Sequence, residues 1–179
     1  PNIKVTGVQS KSFPSMYESV KNGALTSSGG ARTIADGISV KIPGQITFSI
    51  IKELIDDIVL VDDSEIIKAI FLLMERMKFV VEPAGVVGLA YLISAKPSPR
   101  KKVVAILTGG NVDMYLLGQI VDKGLATMGR LLKLSILLPD RPGAFKEIVD
   151  EISAANANIV EVVHDRLSSN INAGSAGVT

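Results

Sequence analysis

The chain has 179 residues, with 19 Lys and Arg against 18 Asp and Glu, one His and no Cys. This length suits one domain or two small ones, and 47% hydrophobic residues are enough for a buried core. A net charge of +1 without a basic cluster predicts no nucleic-acid partner. The absence of cysteine excludes disulfide scaffolds, thiolate nucleophiles and cysteine-containing zinc sites, and the single histidine excludes multi-histidine metal sites.

No signal peptide opens the chain, and its longest strongly apolar stretch without charge, Pro83 to Ala95, is too short to span a bilayer. We therefore expect a cytoplasmic protein without a membrane partner. The chain begins Pro1-Asn2-Ile3 instead of with Met, and its last residues, from Asn172, are small and polar without a core-forming pattern. Both ends resemble cuts, which predicts a fragment of a longer protein.

The first part of the chain predicts short strands and helices in alternation. Apolar periodicity and turn residues indicate a strand around Gly7, a helix over residues 14–21, a strand through Ile38 and Val40, a helix over 47–56 and a strand over 58–61. Residues 26–31 are rich in Ser and Gly, and their backbone N–H groups suit a phosphate. A flexible surface loop is favoured instead, because no strand leads directly into this segment and no helix follows it.

Three apolar helices are predicted next, over residues 65–77, 84–94 and 116–125. The first has Asp63 or Ser64 as its expected N-cap. Val103–Leu107 is continuously apolar, which is typical of a strand buried on both faces of a parallel sheet. It ends in Thr108-Gly109-Gly110. Because ligands of open α/β sheets bind beyond the carboxyl ends of such strands, this turn is a candidate binding position.

The pattern changes near Arg130. Alternation over residues 132–138 predicts a half-buried strand, a turn with Pro and Gly leads into an apolar-faced helix, and alternation over Ile159–Asp165 predicts a last strand. This β-α-β unit has its own period and composition. We therefore predict a domain boundary near residue 128, with domains over 1–128 and 129–179.

Three polar residues stand where the apolar pattern does not explain them. Asp36 lies in an Ala-Asp-Gly turn, where an aspartate needs no further role. Glu82 lies in a strongly apolar stretch, where a carboxylate needs a partner or a function, although the following Pro83 equally suits a helix N-terminus. Thr108 closes the predicted buried strand. Its hydroxyl can bond a ring nitrogen, and the glycines after it let the backbone approach a cofactor closely.

These pieces match a known family in order and spacing. The segments that carry the match are Thr33-Ile34-Ala35-Asp36-Gly37, Val80-Val81-Glu82-Pro83-Ala84-Gly85 and Thr108-Gly109-Gly110-Asn111-Val112-Asp113. They resemble the fold-type II pyridoxal-phosphate threonine dehydratases and their relatives, the serine racemases. The resemblance implies an α/β fold, in which the first domain is the C-terminal portion of the family's catalytic domain with its parallel sheet and helices.

The second unit is similar to an ACT domain. The similar segments are Leu138-Pro139-Asp140-Arg141-Pro142-Gly143 and Val162-Val163-His164-Asp165-Arg166. A catalytic part followed by an ACT domain is the order found in threonine dehydratases with an allosteric, regulatory tail. Since ACT domains have a ferredoxin-like βαββαβ topology, of which the sequence predicts the first β-α-β, we expect a partial ACT domain here.

The resemblance implies specific roles by position. It implies pyridoxal 5'-phosphate as the cofactor and β-elimination of threonine to 2-oxobutyrate and ammonia as the reaction, as in isoleucine biosynthesis. Thr108 stands where the family has a Ser or Thr hydrogen-bonded to the pyridine nitrogen, and Gly109 follows it. Gly37 and Glu82 fall where the family lines the pocket for the cofactor and the amino acid.

The chain departs from the family at the catalytic lysine. The Schiff-base lysine of the family belongs to a Ser-Phe-Lys signature, and Ser10-Lys11-Ser12-Phe13 has these residues but neither their order nor their context. The resemblance therefore places no catalytic residue in this chain, and we expect the chain alone to be inactive. Some relatives bind a divalent metal through Glu and Asp where this chain has Gln9 and Ser15, so no metal is expected there.

A second hypothesis is a non-catalytic regulatory module that binds an amino acid. ACT domains dimerise and hold effectors near the strand-to-helix turn, which implies a site for isoleucine or valine at Asp140, Arg141 and Gly143, with Asn158 and Ile159 nearby. The same turn equally suits a plain helix start without a ligand. A serine dehydratase or racemase is a further alternative. We expect a small amino acid, threonine or serine, as substrate and a homo-oligomer as the assembly.

Overall fold

The computed structural model describes residues 3–28, 30–168 and 171–179, which form two compact units divided between Arg130 and Leu131. Gly29 of the predicted loop over residues 26–31 and the first two residues of the predicted cut N-terminus lie outside the described residues. No helix in the described ranges is long and apolar enough to cross a membrane.

The first unit contains a parallel strand pair and five α-helices. Strand β1 (Thr6–Ser10) lies beside β2 (Asp57–Val61), with Val8 opposite Val59. The helices are α1 (Ser15–Asn22), α2 (Gln45–Leu54), α3 (Asp63–Leu72), α4 (Val87–Ala95) and α5 (Met114–Thr127). A π-helical turn, Leu73–Met77, continues α3, and 3₁₀ turns cover Asp36–Ile38 and Pro83–Gly85. The α/β fold and the parallel sheet predicted from the sequence are confirmed.

Helix α3 begins with a reciprocal capping box. The Asp62 carboxylate accepts the Glu65 N–H at 3.1 Å, and the Glu65 carboxylate accepts the Asp62 N–H at 2.8 Å. The prediction of Asp63 or Ser64 as the N-cap is therefore wrong. The spacing explains the shift, because a glutamate at the third helical position reaches back three residues, to Asp62.

The core of the first unit is built around α3. Its Ile66, Ala69 and Ile70 are fully buried and cluster with Val61 of β2 and Ile120 of α5. The three α3 residues have the i, i+3, i+4 spacing of one helix face.

Two strands predicted in the first unit are wrong. Around Ile38 the chain forms a 3₁₀ turn, in which the Ile38 N–H donates to Ala35 and the Ser39 N–H to Asp36, because the Asp-Gly pair favours a tight turn over an extended chain. Val103–Leu107 forms no strand, and Val104 and Ile106 are 88% and 77% exposed. No strand in the described part of the chain pairs with this segment, so its apolar side chains have no layer to pack against.

The second unit is a three-stranded antiparallel sheet with one helix. Its elements are β3 (Ile136–Pro139), α6 (Ala144–Ala154), β4 (His164–Asp165) and β5 (Ser175–Val178), and β5 lies between β3 and β4. Since β3 and β4 are both antiparallel to β5, they run parallel to each other, and α6 connects them. This arrangement is a split β-α-β unit.

The end of the second unit differs from its prediction. The predicted last strand over Ile159–Asp165 reduces to two residues, preceded by a pair of backbone hydrogen bonds between Val163 and Thr179. The C-terminal residues, predicted to have no core-forming pattern, form the central strand, with Ala176 and Val178 buried. Their apolar positions alternate with Ser and Gly, and this small-residue pattern hides the strand in the sequence.

Candidate functional site

Three segments that are far apart in the sequence meet in the first unit. They are the turn at Asp36–Ile38, the turn at Pro83–Gly85 with the preceding Glu82, and Thr108 with Gly109. The Glu82 N–H donates to the Gly109 carbonyl at 3.3 Å, and the Thr108 N–H donates to the Gly85 carbonyl at 3.4 Å. Two backbone hydrogen bonds thus join the second and third segments, as in a short piece of irregular sheet.

Glycines make this close approach possible. A Cβ on Gly85 would lie 2.6 Å from the Thr108 carbonyl carbon and 2.9 Å from its hydroxyl oxygen, and a Cβ on Gly109 would overlap the Glu82 carboxyl group. Gly109 also has a φ of +75°, which favours glycine. A Cβ on Gly37 would lie 3.9 Å from a Glu82 carboxylate oxygen. The Glu82 side chain therefore lies between the backbones of Gly37 and Gly109.

The polar groups of this cluster are available to a ligand. Glu82 is half-buried and Thr108 is exposed. Among the described residues, neither side chain makes a hydrogen bond or an ion pair. A half-buried carboxylate without a partner is costly, and one hydrogen bond from a ligand offsets that cost. The free hydroxyl, the free carboxylate and the exposed glycine backbone suit a polar aromatic ligand that carries a hydrogen-bonding ring nitrogen.

Asp36 behaves as a turn residue. Its carboxylate accepts the N–H of the next residue, Gly37, at 2.8 Å, and its carbonyl accepts the Ser39 hydroxyl at 2.6 Å. Both bonds are local and stabilise the 3₁₀ turn. Asp36 thus shapes the backbone that places Gly37 near Glu82.

Lys11 carries its charge in an ion-paired cluster. Its ammonium lies 3.1 Å from an Asp62 carboxylate oxygen and 3.7 Å from one of Glu65. The hydrogen bond and charge of Asp62 raise the pKa of Lys11. A nucleophilic amine needs a lowered pKa, so this environment disfavours Lys11 as a covalent catalyst.

Asp62 in turn has a strongly lowered pKa. The Ser64 hydroxyl donates to its carboxylate at 2.6 Å, and the Glu65 N–H and Lys11 also bind it. Together these bonds, the Ser64 hydroxyl first, lower the pKa of Asp62 to about 2. This side chain caps α3 and does not contact the candidate site.

Gln9 and Ser15, the positions where no metal is expected, form hydrogen bonds within the chain. The Gln9 side chain accepts the Tyr17 N–H at 3.0 Å and donates to the Ser15 hydroxyl at 3.5 Å. Ser15 is fully buried and donates to the Val40 carbonyl at 2.6 Å. These groups join β1 to the start of α1.

The candidate effector residues lie at one end of the sheet of the second unit. Asp140, Arg141 and Gly143 line a cavity of about 240 Å³, together with Arg166 and His164. Asp140 pairs with Arg166 at 3.0 Å, and Gly143, with a φ of +89°, begins α6.

The other two candidate effector residues do not reach this cavity. Asn158 and Ile159 are exposed in the segment after α6, and neither lines it. His164 and Arg166, which do line it, were not among the predicted effector residues. His164 lies in β4, and its ring stacks on Phe145 of α6 at a centroid distance of 6.2 Å.

Comparison with known proteins adds three findings. A family model described as "Pyridoxal-phosphate dependent enzyme" matches residues 1–109. The chain is 38% identical over 178 residues to an L-threonine ammonia-lyase of Thermotoga maritima and 41% identical over 179 residues to one of Geobacter sulfurreducens. Each match covers 99% of this chain and 44% of the relative, so the chain spans less than half the length of these proteins.

A solved structure gives a similar result. The processed form of threonine deaminase isoform 2 from Solanum lycopersicum has a TM-score of 0.62 and 31% sequence identity to this chain. The match covers 69% of this chain and 37% of that one.

Proposed function

The chain belongs to the family of pyridoxal-phosphate dependent enzymes, and on this premise we propose that it is the C-terminal part of a threonine ammonia-lyase. The proposed reaction eliminates water from threonine, and hydrolysis of the resulting imine returns the water and yields 2-oxobutyrate and ammonia. Two relatives named L-threonine ammonia-lyase support this substrate, because their likeness runs through 99% of the chain.

The observation that carries the proposal is the juxtaposition of Thr108, Glu82 and Gly37. Bound pyridoxal phosphate supplies an electron sink for the carbanion at the substrate α-carbon. The Thr108 hydroxyl would hold the pyridine nitrogen of this cofactor, and a neutral hydroxyl leaves that nitrogen largely unprotonated. The Glu82 carboxylate and the backbone of Gly37 and Gly109 would form the adjoining wall.

Covalent attachment of this cofactor needs a lysine amine, which this cluster does not contain. The cluster offers a hydroxyl and a carboxylate. Lys11 is not part of it, and the ion pairs with Asp62 and Glu65 stabilise the charged form of Lys11. We therefore assign the Schiff-base lysine to a part of the polypeptide beyond this chain. The 179-residue chain alone should form no 2-oxobutyrate.

The test measures threonine deamination by the complete gene product that contains this chain. Replacement of Thr108 by Ala should lower kcat by about 100-fold, the typical effect of removing one preorganised hydrogen bond. Replacement by Ser is the matched control and should retain most of the activity, because it keeps the hydroxyl. Near-wild-type turnover by the Thr108→Ala variant would contradict the assigned role.

Product analysis separates the alternatives. A serine dehydratase would form pyruvate from serine faster than 2-oxobutyrate from threonine, and a serine racemase would form D-serine. A kcat/KM for threonine well below that for serine would therefore refute the proposed substrate while leaving the cofactor assignment intact.

We further propose that residues 1–128 belong to the catalytic domain and residues 129–179 to a partial ACT domain that binds isoleucine or valine. The split β-α-β topology supports the ACT assignment, because it matches the first part of a ferredoxin-like fold. The cavity beside Asp140, Arg141 and Gly143 supports the effector site, since Arg141 and the α6 N-terminus suit a carboxylate.

Calorimetry tests this regulatory proposal. Isoleucine and valine are titrated into the complete gene product, with an Arg141→Ala variant as control. Binding that Arg141→Ala weakens supports the site, and absence of heat with both amino acids argues against it. Sedimentation of the same sample tests the homo-oligomer that we propose for this family member.

A further inference from the structure

The structure assigns Asp63 as a positioning residue, which clamps the segment over residues 33–35 and thereby holds Gly37 beside Glu82. The importance of this clamp for the cofactor rests on the proposed function. The clamp itself rests on the hydrogen bonds of the first unit.

Both oxygens of the Asp63 carboxylate bind the same short segment. The Thr33 hydroxyl donates to one oxygen at 2.6 Å, and the Ile34 N–H donates to the other at 3.0 Å. No Lys or Arg pairs with Asp63 within the described ranges. The carboxylate thus satisfies both of its oxygens with partners about thirty residues away in the sequence.

The Thr33 hydroxyl is the centre of this network. Its oxygen also accepts the Ala35 N–H at 3.2 Å and the Ser10 hydroxyl at 3.4 Å. Ser10, at the carboxyl end of β1, is fully buried. The segment is therefore held from two sides, by α3 through Asp63 and by β1 through Ser10.

The clamp continues directly into the candidate site. Ala35 is fully buried in the core, and the 3₁₀ turn that contains Gly37 begins at the next residue. A Cβ on Gly37 would lie 3.0 Å from Ala84 Cβ, so this turn packs closely on the Glu82 segment. Loss of the Asp63 bonds would free the leading end of the turn while the core contact of Ala35 remains.

The neighbouring Asp62 provides a matched control. It caps α3, whereas Asp63, the first residue of the helix, binds the other segment. Conversion of either residue to Asn keeps the size and removes one charge. The two variants should therefore loosen different parts of the same unit.

The first experiment measures hydrogen exchange in the complete gene product that contains this chain. In the Asp63→Asn variant, exchange at residues 34–38 should accelerate about tenfold, as expected when hydrogen bonds to a charged group are weakened. In the Asp62→Asn variant, exchange should accelerate at residues 65–67 and stay within twofold of wild type at 34–38. Unchanged exchange at 34–38 in Asp63→Asn, or an equal acceleration throughout α3, would overturn the clamp.

The second experiment measures cofactor binding by the complete gene product. The Asp63→Asn and Thr33→Val variants should raise the dissociation constant for pyridoxal phosphate about tenfold, and Thr33→Ser, which keeps the hydroxyl, should restore it. Accelerated exchange at 34–38 without weaker cofactor binding would overturn the positioning role. A wild-type protein that binds no pyridoxal phosphate would refute the proposed function instead, and hydrogen exchange would still decide whether Asp63 holds the segment.

Discussion

Gly124 lies where α5 packs against α3, and its replacement by Ala should destabilise the first unit. A Cβ at this position would lie 2.5 Å from Phe71 Cγ and 2.9 Å from Phe71 Cβ. These two atoms form the bond about which the Phe71 ring turns, so rotation of the ring does not move them away. Phe71 is buried, and relief therefore requires α3 and α5 to separate.

The expected magnitude follows from two opposing effects. Ala is a better helix former than Gly by about 1 kcal/mol, which stabilises the variant. Overpacking a well-packed core costs about 1–3 kcal/mol, and the contact with pivot atoms places this site at the upper end. The net loss in the free energy of unfolding should be about 2 kcal/mol. For a chain of this size, such a loss lowers Tm by roughly 6 °C.

Gly118 on the same helix is the matched control. It is exposed, and a Cβ there would meet nothing within 4 Å. Gly118→Ala should therefore gain the helix propensity alone and raise the free energy of unfolding by about 1 kcal/mol. Urea unfolding followed by circular dichroism measures both variants under identical conditions.

The Phe71→Ala background isolates the contact. Phe71→Ala removes Cγ and the ring and leaves only the 2.9 Å contact with Cβ, so Gly124→Ala should lose most of its cost in that background, and the two substitutions couple strongly. If Gly124→Ala is as stable as Gly118→Ala in the wild-type background, the two helices are farther apart than the structure shows and the overpacking argument fails.

Three further predictions concern the candidate site and the α3 cap. Gly85→Ala should lower the free energy of unfolding by at least about 2 kcal/mol, because its Cβ would clash with the Thr108 backbone. A smaller loss, measured by urea unfolding, would contradict this clash. Gly109→Ala should cost about 1 kcal/mol for its positive φ, because the overlapping Glu82 side chain is flexible and can move as a whole to another rotamer. Because folding lowers the pKa of Asp62 from 3.8 to about 2, the ionised Asp62 carboxylate stabilises the fold above pH 4. About 1 kcal/mol of unfolding free energy, a value discounted for the 44% exposure of the Asp62 side chain, should be lost as the pH falls from 4 to 2. Acid unfolding of the Asp62→Asn variant that is identical to that of the wild type would refute this prediction.

Local sequence patterns predict the helices of this chain well. The apolar helix predicted over residues 65–77 corresponds to α3 and its π-helical turn, and the helix predicted over 14–21 is α1, which ends at Gly23 with a φ of +72°. These features depend on residues within one or two turns of each other. The information is therefore present in a short window of sequence.

Strands are predicted less well, because a strand exists only with its neighbour. The apolar run Val103–Leu107 indicates burial, but the described chain supplies no strand to pair with it. Conversely, the weakly apolar Ser175–Val178 becomes a central strand because β3 and β4 bind both of its edges. In both cases the pairing partner, and not the propensity of the segment, decides the outcome.

The candidate site shows the same division between local and distant information. The family motifs identify Gly37, Glu82 and Thr108 as candidates. In the structure, backbone hydrogen bonds join the Glu82 and Thr108 segments, and the turn with Gly37 packs on Ala84. The spacing to Glu65 is a local signal for the Asp62 cap, but no local signal marks Asp63 as a clamp, because its partners lie about thirty residues away. A motif therefore locates the residues that we propose face a ligand, whereas the residues that hold them in place become visible only when the folded chain shows which distant groups share a hydrogen bond.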